Sequence, residues 1–453
     1  MRTIIIPIFQ GVEALNILRT DIFRELSKQK DVRMVLIVPS VSKLNYYNQE
    51  FNENKNLIYE VFDNYEMSFF DKIFSLFKVH LLRTETMDIK RRLRFEQTGN
   101  IFRYYIGLFF NRIVARRFFR KIARSFDYYL VKNNDFKEIF DKYRPDVVFL
   151  AHLFGDIEIA MLREAKKRNI KSVGFINSWD KLTSRCVLRI LPDWLIVPNL
   201  ITKEEAIIYH DVNPEIIFVS GPPQFDLYKK VSFTPREKFC KGLNIDPLKK
   251  IILFCPIGKA FSDSDWNIIE ILNKFFEDGR LKSNVHVIVR FPPNDTVEIK
   301  DNIDKSRFSF VVPGVRFSSE RGVDWDMSLN DLQSLADDLY HSSLVVCFPS
   351  TISIDASILG KPVININFGE IKSNYFYRTT KSFYKMSHYK NILRYGGIRL
   401  VENEHEFAEK INDYLENPQK DSIGRNKIIK EQVYELDGNA GKRIADFVYG
   451  LLG

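Results

Sequence analysis

Strand-like and helix-like segments alternate along nearly the whole chain, and this alternation restricts its fold more than any other feature. TIIIPIF (Thr3 onward) reads as a buried strand, ALNILRTDIFRELSKQ as a helix with apolar residues at helical spacing, and VRMVLIV as the next strand. Together they make one βαβ unit. The alternation resumes through PDVVFLAHL, IEIAMLREAKKRN, KSVGFIN, DWLIVPN, TKEEAIIYH and EIIFVSG. It restarts in the second half through KKIILFCPI, WNIIEILNKFF, VHVIVRF, LNDLQSLADDLYH, SLVVCFPS and PVININF. Apolar strands joined by short helical crossovers form parallel sheets covered on both faces, so the expected class is α/β with two Rossmann-like, doubly wound domains.

A chain of 453 residues is too long for one ordinary core and suits two domains of roughly 200 residues each. The stretch GPPQFDLYKKVSFTPREKF holds three prolines and no strand period, so the boundary is expected near residue 230. This makes 1–229 the N-terminal domain and 230–453 the C-terminal one, with the last helix a candidate to pack back on the first domain. The four cysteines (Cys186, Cys240, Cys255, Cys347) lack zinc-finger or disulfide-framework spacing, which suits a reducing compartment. The opening MRTIIIPIFQG has too short an apolar run for a signal peptide, and no membrane-spanning run occurs, so the expected location is cytoplasmic. A net charge of +9 favours anionic partners, while no RNP or KH signature points to nucleic acid.

One segment breaks the alternation. From about Asp63 to Phe126 the chain is helical in tendency and rich in arginine and aromatic residues, as in IKRRLRFEQTGNIFRYYIGLFFNRIVARRFFRKIARSF. It reads either as a solvated helical insertion whose Phe and Tyr pack on the domain, or as a basic amphipathic surface that meets an anionic polymer or anionic lipid, the latter on the inner face of the cytoplasmic membrane.

The stretch CFPSTISIDASILGKPVI (Cys347 to Ile364) places Ser350 and Thr351 where a strand hands over to a helix, with Asp355 one turn inside it. In a doubly wound sheet, ligands bind beyond the carboxyl ends of the strands, where helix N-termini present free N–H groups. Thr351 and Asp355 would share one helix face, with Ile354 and Ile358 turned about 100° away toward the core. A phosphate at the helix mouth and a sugar hydroxyl one turn along would meet both groups; an N-cap with a solvated Asp would give the same pattern.

That arrangement resembles the C-terminal domain of GT-B glycosyltransferases, in which such a turn cradles the diphosphate of a nucleotide sugar and an acid holds the ribose. Polyol-phosphate transferases and non-hydrolysing epimerases of UDP-N-acetylglucosamine share the placement. Three further stretches, NSWDKLTSR with DWLIVPN, VSGPPQFDLY and ELDGNAGKRIADFV, are similar to bacterial surface-polysaccharide glycosyltransferase-like proteins, and the joint match runs from about residue 145 onward. The resemblance implies a nucleotide-sugar donor on the C-terminal domain, contacted by Ser350, Thr351 and Asp355. It also implies a glycan or lipid-linked glycan acceptor on the N-terminal domain, with no cofactor and no metal. Arg290, in VHVIVRFPPND, becomes a diphosphate candidate. The His-Pro of polyol-phosphate transferases is absent there, which argues against phosphotransfer. His388 and Arg394, in MSHYKNILRYGGIRLV, are candidates to close over the donor.

Transfer with inversion needs a base for the acceptor hydroxyl and positive or N–H groups for the leaving diphosphate. Glu13, in the loop after the first strand, is one candidate, with Gly11 permitting close approach and Arg19 following. A first-turn acid complementing its helix dipole would look the same. Asp156 follows another strand end beside His152. Asp180 lies in the Ser-Trp-Asp loop, where Trp179 could stack on a sugar ring. The expected activity is glycosyl transfer to a cell-surface glycan or its lipid-linked precursor. The rivals are a nucleotide-sugar epimerase, a polyol-phosphate transferase and a nonenzymatic protein that binds an anionic polymer.

Overall fold

The computed structural model describes residues 1–51, 54–258, 265–282, 284–295, 297–300, 303–317, 324–369 and 380–453. The chain divides into two compact units, Met1–Asp226 with Val433–Gly453, and Leu227–Gln432. The expected boundary lay near 230; the division falls after Asp226, and the final segment from Val433 belongs to the first unit.

Seven parallel strands build the first unit: β1 (Arg2–Pro7), β2 (Val32–Val38), β3 (Leu57–Val61), β4 (Val147–Leu150), β5 (Lys171–Phe175), β6 (Trp194–Val197) and β7 (Ile217–Val219). Their order is β3-β2-β1-β4-β5-β6-β7. The pleat sends alternate residues to opposite faces. Ile5, Val35 and Val148 therefore join one core cluster while Ile4, Ile6, Met34, Val147 and Phe149 join another. Both faces are covered, so the strands read as unbroken apolar runs. The chain leaves β1 toward β2 and β3, then returns to lay β4 on the other side of β1. That reversal opens a crevice at the carboxyl ends of β1 and β4.

The second unit repeats the plan with β8 (Lys250–Cys255), β9 (Val285–Arg290), β10 (Phe308–Val311), β13 (Leu344–Cys347), β14 (Val363–Ile366) and β15 (Arg399–Val401). These are parallel in the order β10-β9-β8-β13-β14-β15, and a short antiparallel pair, β11 (Val315–Arg316) with β12 (Trp325–Asp326), lies outside that sheet. Its reversal falls between β8 and β13. β3, β10 and β15 were not foreseen as strands. β3 is an edge strand with half-buried residues, and β15 has three residues, too few for a period.

The final helix, Ala440–Gly450, sends Ile444, Ala445 and Val448 into the first unit's core, and Phe447 stacks on Phe218 with ring centroids 4.6 Å apart. Asp226 accepts hydrogen bonds from the amides of Ala440 and Gly441 at that helix's start, and Arg443 Nε donates to the Ser220 carbonyl. The Gly-Pro-Pro-Gln-Phe-Asp stretch and the ELDGNAGKR stretch thus meet in one structural latch.

The insertion is helical as expected, with helices Phe69–Phe77, Glu85–Thr98, Ile101–Val114 and Arg117–Leu130. Its aromatic residues divide: Tyr65 packs on the first unit's core, and Phe77 and Phe119 on a buried cluster with Val187, whereas Phe102, Phe109, Phe118, Phe126 and Tyr129 are exposed. Polar contacts add to the attachment. Arg189 donates to Asp71, Asp127 and Asp156, and Arg163 to Asp127, all at 2.5–3.0 Å. Thr84 Oγ1 and Lys90 Nζ donate to the carbonyls of Thr183 and Ser184, at the end of the Ser-Trp-Asp-Lys-Leu-Thr-Ser stretch. The four cysteines are free and buried. Among the described residues no helix is long and apolar enough to cross a membrane.

Candidate active site

At the reversal in the first sheet, three loops bring titratable side chains together. The loop after β1 enters the helix Gly11–Ile17, the loop after β4 enters the helix Asp156–Lys167, and the loop after β5 leads to the short helix Lys181–Ser184. Glu13 is 1% exposed, and its Oε2 accepts from the amides of Phe9 (2.6 Å) and Gln10 (3.0 Å). Glu158, one turn into its own helix, is equally buried and hydrogen-bonds Glu13 through the carboxyl groups. Two carboxyls in contact must share a proton. Burial raises Glu158 well above the ordinary carboxylate range and the charge of Glu13 adds to that; burial raises Glu13 too, but the amides of Gln10 and Phe9 favour its anion. The proton therefore belongs on Glu158 and the charge on Glu13. Gly155 makes room for this pair, because a Cβ there would sit 2.1 Å from Glu158 Oε2.

Lys181 completes the cluster. Burial pulls its ammonium down to about 8, while Asp180 and Glu13 act in the other direction. Its Nζ lies 2.9 Å from His152 Nδ1. Burial, and then the Lys181 charge, hold His152 well below its usual range, so the imidazole is neutral and its Nδ1 accepts from the ammonium. Asn177, next along the loop after β5, is buried with neither side-chain amide atom hydrogen-bonded. A buried polar group left so costs roughly 1–3 kcal/mol unless water or a ligand meets it.

The other expected residues of this half are engaged in structure. Gly11 is buried at its helix start. Arg19 pairs with Glu50 at 2.7 Å and lies over the Phe51 ring, which withdraws it from an acceptor. Asp156 is bound by Lys78, Arg189 and Ser75, so it ties the insertion to the sheet. Asp180 accepts from Ser178 and Ser184 and shapes its own loop beside the half-buried Trp179.

In the second unit, β13 runs into the Phe348-Pro349-Ser350 turn and the helix Ile352–Ile358. Thr351 is the N-cap but its hydroxyl caps nothing, whereas Ser350 Oγ accepts from the Ile352 amide at 3.3 Å. The expected outward face carrying Asp355 is corrected: residues 353 to 357 are all buried, and the helix Ser422–Gln432 packs against this helix. Asp355 accepts from the Tyr228 hydroxyl at 2.7 Å, and burial pushes its carboxyl up to about 7. Beneath the turn, Ser353, Asn365 and Tyr389 form a closed network: Tyr389 donates to Asn365 Oδ1 at 2.6 Å and meets Ser353 Oγ at 2.9 Å.

Arg290 also differs from expectation. It is buried in an ion pair with Asp338 at 2.7 Å and donates to Ser334 and the Asp331 carbonyl. Burial pushes Asp338 up to about 6 against the pull of Arg290. His388 is half-buried on the helix Ser387–Leu393, and it is the next residue, Tyr389, that reaches the turn network. Arg394 is exposed and folds over Tyr395, 4.8 Å from its ring centroid. The Gly396-Gly397 pair has a packing role: a Cβ on Gly397 would lie 2.4 Å from the Arg425 backbone nitrogen, so glycine alone lets the two backbones touch. Sequence reasoning missed Glu158, Lys181 and Asn177. Their one signal was position, each lying a few residues beyond an apolar strand. Among the described residues no cluster of His, Cys, Asp and Glu is arranged to hold a metal ion.

Two parallel α/β domains of seven and six strands, each with its reversal point lined by polar side chains, define the GT-B fold. No family model matches the sequence, and no curated protein matches it. Solved structures do match it over their whole length. MnaA of S. aureus, solved with UDP, is 11% identical with a TM-score of 0.55, covering 100% of this chain and 98% of its own. UDP-GlcNAc 2-epimerase from Neisseria meningitidis, bound to UDP-GlcNAc, is 12% identical with a TM-score of 0.55, covering 99% and 100%. A glycosyltransferase from Rickettsia africae ESF-5 is 10% identical with a TM-score of 0.50, covering 100% and 98%.

Proposed function

We propose that this chain is a nucleotide-sugar enzyme, a glycosyltransferase that moves a sugar from a nucleotide-sugar donor to a cell-surface glycan or its lipid-linked precursor. The observation that carries the reading is the buried cluster at the first sheet's reversal, where Glu13 and Glu158 share a proton beside Lys181. With the shared proton on Glu158, the Glu13 carboxylate is left ionised and is the group that would receive the proton of an acceptor hydroxyl. Asn177, in the loop after β5, keeps hydrogen-bonding capacity for an incoming hydroxyl. The donor would lie at the second unit's reversal, with its phosphates at Ser350 and Thr351. Asp355 would then act from beneath through the helix, and Arg290 by holding β9 to the helix that carries Asp338, in place of the direct contacts expected of them.

A ligand at a hundred times its dissociation constant stabilises its protein by about 2.7 kcal/mol. The test is therefore a thermal-shift series of the full chain against UDP, GDP, CDP, dTDP and their sugars, followed by assay of nucleoside diphosphate release with lipid-linked acceptors. One nucleotide family should raise the melting temperature of the wild type and less so of Thr351→Ala. Glu13→Gln should still bind the donor but release no diphosphate. Absence of any nucleotide effect would refute the reading.

The likeness to the UDP-GlcNAc 2-epimerase structure bound to UDP-GlcNAc favours a second reading, epimerisation of the donor sugar. Removal and return of the C2 proton by the same carboxyl pair would exchange it with solvent. Deuterium appearing at C2 in heavy water, without any acceptor, would select the epimerase.

A further inference from the structure

The helical insertion is built inside out. On the helix Phe69–Phe77 the buried residue is Asp71, while Phe69, Ile73 and Leu76 face outward. On Ile101–Val114 the inward residue Asn111 donates to the carbonyls of His80 and Leu82, and Phe102, Ile106 and Phe109 face outward. On Arg117–Leu130 the buried side holds Arg120, Ala123 and Asp127, and the outward side Phe118, Ile122 and Phe126. Phe102 is 77% exposed and Leu76 75%. These are one surface rather than three, because the helix Phe69–Phe77 packs on Arg117–Leu130, and Phe77 meets Phe110 edge-on at 5.7 Å.

A water-facing helix places its apolar stripe toward the core. Here ion pairs to Arg163, Arg189 and Asp211 hold the stripe's opposite face to the sheet domain, so the outward apolar face is fixed by the fold. Contiguous exposed apolar surface of this extent marks a binding surface. Its charge identifies the occupant. Across residues 69–130 the exposed acids are Glu85 and Glu96, whereas the exposed cations include Arg94, Arg103, Arg112, Arg116, Arg117 and Lys121. Aromatic and aliphatic tips interleaved with arginine and lysine match the acyl boundary and anionic headgroups of a bilayer. A protein partner of ordinary composition would call for both signs of charge.

The geometry points to a monotopic docking face: the helices Phe69–Phe77, Ile101–Val114 and Arg117–Leu130 lie in the plane of an anionic membrane, with Phe102, Phe109, Phe118 and Phe126 entering the acyl boundary. The inference rests on the insertion alone and stands or falls apart from the catalytic reading.

Flotation of the full chain with vesicles tests it, using phosphatidylcholine alone and phosphatidylcholine mixed with phosphatidylglycerol. The wild type should float with the mixed vesicles. Raising salt from about 0.1 M to about 1 M cuts the Debye length from about 10 Å to about 3 Å, and binding should then weaken yet persist, because the aromatic insertion is unscreened. The triple change Phe102→Ser, Phe109→Ser, Phe118→Ser should lower the partition coefficient at least tenfold while leaving the unfolding temperature unchanged, since none of the three is buried. Arg112→Gln with Arg117→Gln should weaken binding to mixed vesicles only. Phe109→Trp supplies a second readout, a blue shift of its emission on adding mixed vesicles. The inference is overturned if the wild type stays with the aqueous phase at low salt, or if the serine variant floats like the wild type. It is equally overturned if the chain binds an anionic polysaccharide but no vesicle, or if it forms a lipid-independent dimer that the serine changes dissociate.

Discussion

The two sheet reversals occupy equivalent places in the two units and are furnished in opposite ways. Between β1 and β4 the first unit buries two carboxyls, an ammonium and an imidazole together, and leaves Asn177 without a partner. Between β8 and β13 the second unit offers the hydroxyls of Ser350 and Thr351 over a neutral network of Ser353, Asn365 and Tyr389, with one buried acid, Asp355, held by Tyr228. One topology therefore carries a proton store in one unit and a hydroxyl-lined mouth in the other. The sheet decides where a site lies, and a few side chains past each strand decide what it does.

The sharpest way to break this contrast is Lys181→Met, which removes the cation from the buried cluster and leaves the Glu13 charge uncompensated. Loss of one partner from a buried charged group costs about 3–5 kcal/mol, so the first unit's unfolding free energy should fall by that much and its denaturation midpoint with it. An unchanged midpoint would mean that the cluster is not electrostatically coupled.

Asp355 tests the other side. Its folded carboxyl titrates at about 7, whereas an unfolded Asp titrates near 3.9, so the unfolded chain gives up this proton first as pH rises. The resulting stability is complete below about pH 4 and is lost progressively as pH climbs to about 7, a total on the order of 4 kcal/mol. Asp355→Asn should flatten that part of the second unit's stability profile while keeping the bond from Tyr228. A slope that survives the substitution would assign it to another group.

Tyr389→Phe probes the neutral network. It leaves Asn365 Oδ1 without its 2.6 Å donor, and the expected loss is about 1–3 kcal/mol with no dependence on pH between 5 and 8, a range in which no group of that network titrates. Denaturation at both ends of the range checks this, and a pH-dependent loss would show that the mouth is not neutral after all.

Asn177→Leu should have the smallest effect on stability, within about 1 kcal/mol of wild type, because no hydrogen bond is lost. Turnover should nonetheless fall at least tenfold if the amide meets substrate. Unaltered turnover would make it a residue of the scaffold.

The strands that carry both reversals were legible in the sequence because a sheet covered on both faces must be apolar throughout, as Ile4 to Ile6 and Val345 to Cys347 are. Glu13 was legible as a position, since any residue just beyond a first strand reaches the crevice. Its partnership was not. Glu158 and Lys181 lie about 145 and 168 residues downstream, and only the order β1-β4-β5 makes them neighbours. The motifs that carried the family resemblance misled in a specific way. Asp180, a candidate base in the Ser-Trp-Asp stretch, ties down its own loop, and Asp226, in the Gly-Pro-Pro-Gln-Phe-Asp stretch, caps the last helix. A carboxylate that satisfies helix N–H groups and one that accepts a substrate proton use the same chemistry, so residue type cannot tell them apart.

By itself, then, the sequence determined two doubly wound parallel sheets, the helical insertion and the strand ends where a site must lie, because hydrophobic periodicity is local and is written residue by residue. The tertiary structure alone decided which acids share a proton, which arginines are spent in ion pairs, and which side of the insertion faces outward. Burial and pairing are properties of groups distant in the chain, and they shift charge and exposure by more than any local pattern records.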